Sequence, residues 1–192
     1  MGHKVITPVA GDVIPLVDLR QHLRLDLLGN GTHPDDALIQ GYLGAAREYC
    51  EHYLQRSVGV QTLELALDAF PDGGIHLPLG AASITSVTYV DTVGIVQTVS
   101  STAYTLDDYS LRHWAIPVTA WPSAGAVVNA VRVRYVTPAT ATIPQAVRNA
   151  LLLLTGHLYE NREAVNTERG VVPTEVPFGV KSMLDTCRDW TL

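Results

Sequence analysis

Cysteine is scarce: Cys50 and Cys187 are the only two in 192 residues. Neither has a partner at metal-ligand spacing, and so poor a set reads as two reduced thiols rather than a disulfide framework. Positive charge is also short, with 13 Lys and Arg against 19 Asp and Glu and a formal net charge of −6. That balance argues against general affinity for a phosphate backbone and leaves room only for a local basic patch. No apolar run approaches the ~20 residues that span a bilayer. The opening MGHKVITP holds no apolar core of a signal peptide. The expectation is a soluble chain made in the cytoplasm, with no membrane partner.

Catalytic signatures are missing as well. There is no G-x-S-x-G elbow and no Walker A loop, and Gly73-Gly74 and Gly29-Asn30-Gly31 read as turns. Cys50 and His52 are two apart and diverge on a helix; His157 and Glu160 share a face but lack an H-E-x-x-H. The sequence therefore predicts no metal site and no cofactor. Asp35-Asp36 and Asp107-Asp108 are paired carboxylates, the first at a helix start and the second in a turn, and both positions account for them without catalysis. Evidence for an enzyme is weak.

What the chain does have is an apolar 47% and clear periodicity. The strongest stretch begins at Pro144, suited to a first helical turn. Ala146, Val147, Ala150, Leu151, Leu154, His157 and Leu158 follow at steps of three and four, and Leu152 and Leu153 widen the face. Such a helix must be covered on most sides, by its own domain or by another subunit. Residues 1–15 read as an extended arm. A short helix follows over 16–23, with Leu16, Leu19, Leu23 and Val17 inward. A longer one runs over 34–54, with a stripe of Leu38, Ile39, Tyr42, Leu43, Ala46, Tyr49, Cys50 and Tyr53. Gly41, Gly44 and Ala45 flank that stripe and predict a close helix–helix approach.

From Val58 the period becomes two, and short strands separated by turns run to Val136. The last of them is expected over 127–136. It places Arg132 and Arg134 on one face and Val131, Val133 and Tyr135 on the other. The two arginines are either a solvated face or a basic stripe for nucleic acid or an acidic neighbour. Residues 163–177 read as a long loop suited to binding, and 179–188 as a last short helix. The fold class is α+β: a helical core of about four helices with an inserted antiparallel β lobe. Its expected parts are 1–57 (arm and core helices), 58–137 (the lobe), and 138–192 (core helix, long loop and C-terminal helix or tail).

Several fragments stand together in order: LRQHLRLD at 19–26, DDALIQGYLGAAREYCE at 35–51, LDAFP at 67–71, IHLP at 75–78, Trp121-Pro122, PQAVRNA at 144–150 and YENRE at 159–163. The series resembles the head–tail connector (adaptor) proteins of tailed bacteriophages and gene transfer agents, over nearly the whole chain. Where members of that family often carry Gly-Tyr after the last strand, this chain has Tyr135-Val136-Thr137-Pro138. The resemblance implies a virion structural protein in the neck. It would form a homo-oligomeric ring, about twelve-fold, under the portal protein. The ring would extend the DNA channel without sequence-specific binding and offer a platform to the next neck or tail protein, a stopper or terminator. By the same resemblance Val180, Lys181, Met183, Leu184, Arg188 and Trp190 are candidates for docking the portal. Glu163, Asn166, Glu168, Arg169, Val171 and Val172 are candidates for a tail-side or inter-subunit loop. The alternatives are a related neck or stopper protein, a β-lobe module binding a saccharide or host surface through Tyr104, Trp114 and Trp121, and a small hydrolase using Asp107 or Asp108 with His113.

Overall fold

In the computed structural model, which describes residues 2–139, 143–162 and 178–188, local sequence signals become eight strands and four helices. They are β1 (Gly2–Thr7), α1 (Leu16–His22), α2 (Asp36–Leu54), β2 (Thr62–Leu67), β3 (Ile75–Leu77), β4 (Ser83–Val90), β5 (Val96–Thr98), β6 (Tyr104–Asp107), β7 (His113–Pro117), β8 (Val131–Val136), α3 (Gln145–Glu160) and α4 (Phe178–Asp185). The α+β class expected from the sequence holds. The described chain divides into two compact units, residues 2–10 with 59–139, and residues 11–58 with 143–162 and 178–188.

The β unit contains two antiparallel sheets, one in the order β1-β2-β8-β4-β5 and one in the order β3-β7-β6. Alternation decides which side chains go inward. Leu63 and Leu65 of β2 and Val131, Val133 and Tyr135 of β8 are all fully buried. They share one core with Ile75, Leu77, Tyr104 and Ala115 from the smaller sheet. The Tyr135 hydroxyl donates to the Pro78 carbonyl at 2.8 Å, so this large ring is buried without an orphaned polar atom. Where the chain enters and leaves the unit, buried Thr137 ties the two strands together. Its hydroxyl donates to the Gly59 carbonyl at 2.7 Å and accepts the Gln61 N–H at 2.9 Å.

Two features of the β unit depart from the sequence reading. The extended arm, grouped with the core helices in the sequence reading, contributes β1, an edge strand paired with β2 from Gly2↔Ala66 to Thr7↔Thr62. Its adjacent Val5 and Ile6 give no alternating signal, so only the pairing reveals it. Residues 127–130 are a loop rather than the start of β8. Asn129 has a left-handed φ of 56°, and Gly125 is held against β4 by its N–H on the Val90 carbonyl at 2.8 Å.

In the helical unit α3 is the hub, packing against α1, α2 and α4. Its buried residues are Val147, Ala150, Leu151, Leu154 and Thr155. Opposite them α2 buries Ile39, Leu43, Ala46, Cys50 and Leu54. Leu19 of α1 and Val180 and Leu184 of α4 complete the seam. Burial pushes the Cys50 thiol up to about 12, and both cysteines are free. Leu38 and Val17, expected inside, are exposed, because the apolar stripes are narrower than their residue types suggested. Beyond α2's own backbone, no described atom lies within 4 Å of where a Cβ of Gly41 or Gly44 would stand, so among the described residues no other helix approaches α2 there.

Candidate functional site

Charged side chains join the helices at four places, three of them between residues more than a hundred positions apart. Arg20 of α1 makes a two-armed pair with Asp36, with Nε to Oδ1 at 2.8 Å and Nη2 to Oδ2 at 2.5 Å. Asp36 also accepts the His33 N–H at 2.9 Å, and the Arg20 bonds hold its carboxyl below the ordinary carboxylate range. Arg148 of α3 pairs with Asp18 of α1. Asp35 accepts the Tyr159 hydroxyl and an Arg162 N–H, both at 2.7 Å, and these bonds, Tyr159 first, lower its pKa. Tyr53 of α2 donates to Asp185 of α4 at 2.6 Å, with the Arg188 guanidinium 5.1 Å above the same ring. The Asp35-Asp36 pair is thus a structural joint, with both carboxylates taken.

These ties bear on the docking candidates. Val180 and Leu184 are fully buried in the helical seam and anchor α4 to its own unit. Lys181 and Met183 are half-exposed, and Arg188 is half-buried against Tyr53. Trp190 lies outside the described residues. So do all six loop candidates, Glu163, Asn166, Glu168, Arg169, Val171 and Val172.

The acid–histidine pairing suggested for hydrolysis does not come together. His113 is buried with Nδ1 2.6 Å from the Ala81 carbonyl oxygen and 2.9 Å from its nitrogen, a backbone-holding role. Asp107 and Asp108 are exposed, and Asp107 accepts the Tyr109 N–H at 3.2 Å within its own turn. The aromatic residues do not form an open platform either. Tyr104 is buried, and Trp121 stacks on Phe70 with centroids 5.0 Å apart while its indole N–H donates to the Gly73 carbonyl at 2.8 Å. Trp114, half-buried, leans on His76 at 5.1 Å.

The arginine stripe is where the outer face of the large sheet becomes chemically distinctive. Glu64 of β2, almost enclosed, takes Arg134 Nη2 on one oxygen at 2.7 Å and Lys4 Nζ on the other at 3.2 Å. The Arg134 bond is the main reason its carboxyl stays ionised well below the usual range. Arg132 lies one rung along, opposite Ala66 and Thr88, exposed and without a hydrogen bond or ion pair among the described residues. Beside it is a groove of about 240 Å³ lined by Gly2, His3, Lys4, Glu64, Asn129 and Arg132. The nearby Asp68 carboxylate receives the Asn129 N–H at 2.7 Å. Lys4 belongs to the unforeseen strand β1, so the sequence reading found the stripe but not the groove.

The β unit also exposes aliphatic residues at the β4–β5 hairpin and the loop held against it. Val93, Ile95 and Val96 are exposed there, with Val127 and Val128. Asp91 fixes the hairpin by accepting the N–H groups of Val93 and Ile95 and the Gln97 amide, with the last lowering its pKa most.

No protein-family model matches the chain, and no curated protein matches it. Solved structures do. A chain in the virion of a native gene transfer agent (GTA) particle superposes with a TM-score of 0.78 at 23% identity, over 100% of this chain and 97% of that one. A chain in the neck of an empty GTA particle, computed with C6 symmetry, gives 0.78 at 24% identity with the same coverage. A chain in the neck of a native GTA particle, computed with C12 symmetry, gives 0.76 at 22%, again over 100% and 97%. The fold, helices and β unit together, is one found in GTA neck structures.

Proposed function

We propose that this chain is a virion structural protein, a head–tail connector (adaptor) subunit in the neck of a gene transfer agent or tailed phage. Copies form a closed ring under the portal, extend the DNA channel and present a platform to the next neck or tail protein. One observation carries the reading: the whole chain has the fold of chains in GTA neck structures computed with six-fold and twelve-fold symmetry. A ring needs two different patches on each subunit. It also needs a subunit rigid enough to repeat, and the inter-helix ion pairs suit that. An acidic subunit around a DNA channel keeps the passing polyanion from being held. No catalytic step is assigned. For the portal contact the outward side of α4, through Lys181 and Met183, is the surface to consider, since Val180 and Leu184 serve the core.

The test is the mass of the purified chain by light scattering across a wide concentration range, with negative-stain images of any large species, repeated in the presence of portal-bearing heads. Closed rings with a central hole, alone or on the portal, are the expected result. A discrete dimer, or a chain that stays monomeric and never binds heads, overturns the reading.

A further inference from the structure

Resting on the ring reading above, we infer that each subunit grips the next by seating its acidic turn Asp107-Asp108-Tyr109 in the neighbour's basic groove between Lys4 and Arg132. The groove is over-supplied with positive charge. Lys4 and the neighbouring Arg134 take the two oxygens of Glu64, and Arg132 on the groove wall has no ion pair among the described residues. Counting the nearby Asp68 as well, one positive charge is left over, and it falls on Arg132, in a chain that is acidic as a whole. An exposed arginine fork beside a lysine suits the bidentate capture of carboxylates.

The matching surface lies on the other sheet. The turn from β6 to β7 carries Asp107 and Asp108, both exposed, and Asp108 has no hydrogen bond or ion pair among the described residues. Tyr109 next to them is 100% exposed, a costly place for a ring that buries well in interfaces. The turn is already ordered: Asp107 holds the Tyr109 N–H, and the Ser110 hydroxyl donates to the Arg112 carbonyl at 2.6 Å. Seating it therefore demands little further ordering. The two acids meet the unpaired Arg132 and the Lys4 ammonium beside it, and the aromatic ring has a concavity to fill.

The pairing is heterologous, because groove and turn are different patches on different sheets, and repetition of such a contact closes a ring or builds a filament. The observations favour a second copy over nucleic acid as the occupant. A phosphate backbone presents a long row of charge and calls for a row of cations. Here the cations are few and stand beside Glu64 and Asp68.

The experiment is a charge swap on the full chain. Assembly is followed by light scattering, and circular dichroism and thermal melting verify that these surface variants stay folded. Arg132→Glu alone, and Asp107→Lys with Asp108→Lys, should each raise the concentration needed for assembly about tenfold or more. Tyr109→Ala should do the same, and combining the two charge reversals should restore assembly. Wild-type assembly that Arg132→Glu leaves unchanged sinks this contact while the ring reading stands. Losses from the single reversals that the combination fails to recover also sink the pairing. A wild-type chain that assembles neither alone nor on portal-bearing heads removes the ring and the contact together.

Discussion

The helical unit and the β unit are held by different means. In the helical unit an aliphatic seam brings the helices together, and charged or phenolic pairs then fix which residues meet. Asp18–Arg148, Asp35–Tyr159 and Tyr53–Asp185 each join residues more than a hundred positions apart. In the β unit the backbone ladders already set register, so side-chain pairs are not needed to align the strands. Polar groups on its outer faces are left for other uses. Tyr109, Val128, Val93 and Val96 are exposed at 100, 80, 76 and 69%, whereas among the described residues of the helical unit the most exposed large apolar one is Val17 at 62%. On the proposal above, the β unit carries the surfaces that meet a neighbour, while the ties of the helical unit fix its own helices to one another.

The largest effects should come from removing core volume, and they break the comparison at its common point. Leu151 at the hub of α3 and Leu65 in the centre of the large sheet are both essentially unexposed. Leu151→Ala and Leu65→Ala should each cost about 2–5 kcal/mol in urea unfolding. A cost well below that range at Leu151 would remove α3 as the organising element. Next comes Gly125. A Cβ there would stand 2.5 Å from the Asp91 carbonyl oxygen, a backbone atom that cannot swing aside. Gly125→Ala should destabilise by about 1–3 kcal/mol, the usual range for overpacking. A neutral melting temperature would show that the loop over 121–130 moves freely against the hairpin.

The helices were readable because a 3.6-residue period leaves a mark in one stretch of chain, and α3 was the clearest case. The burial of Val131, Val133 and Tyr135 was readable for the matching reason, a period of two. Misreadings fell where the deciding partner is remote. Strand β1 exists because β2 lies beside it, and its own Val5-Ile6 does not alternate. The loop before β8 depends on Asn129 and Gly125 conformations that a run of valines concealed. Nothing in the sequence around Arg20, Arg148 and Tyr159 names Asp36, Asp18 or Asp35 as their partners. The Arg132 and Arg134 stripe was visible as a pattern. What separated the two was not, because Glu64 accounts for Arg134 and leaves Arg132 over. The docking residues rest on the resemblance, and the loop residues on the length of 163–177. Of these, Val180 and Leu184 have a place inside the unit, which their i, i+4 spacing on one helix face also suggests.

The smallest predicted effect sharpens the comparison from the other side. Gly41 and Gly44 lie in the middle of α2, where glycine usually weakens a helix by about 0.5–1 kcal/mol relative to alanine. Gly125 is constrained by a backbone atom; around these two no described atom beyond α2's own backbone lies within 4 Å. Gly41→Ala and Gly44→Ala should therefore each stabilise the isolated chain by about 0.5–1 kcal/mol, opposite in sign to Gly125→Ala. Thermal melting of the dilute chain measures this directly. Failure to stabilise would mean that a contact absent from the single chain already holds that face of α2, even in dilute solution.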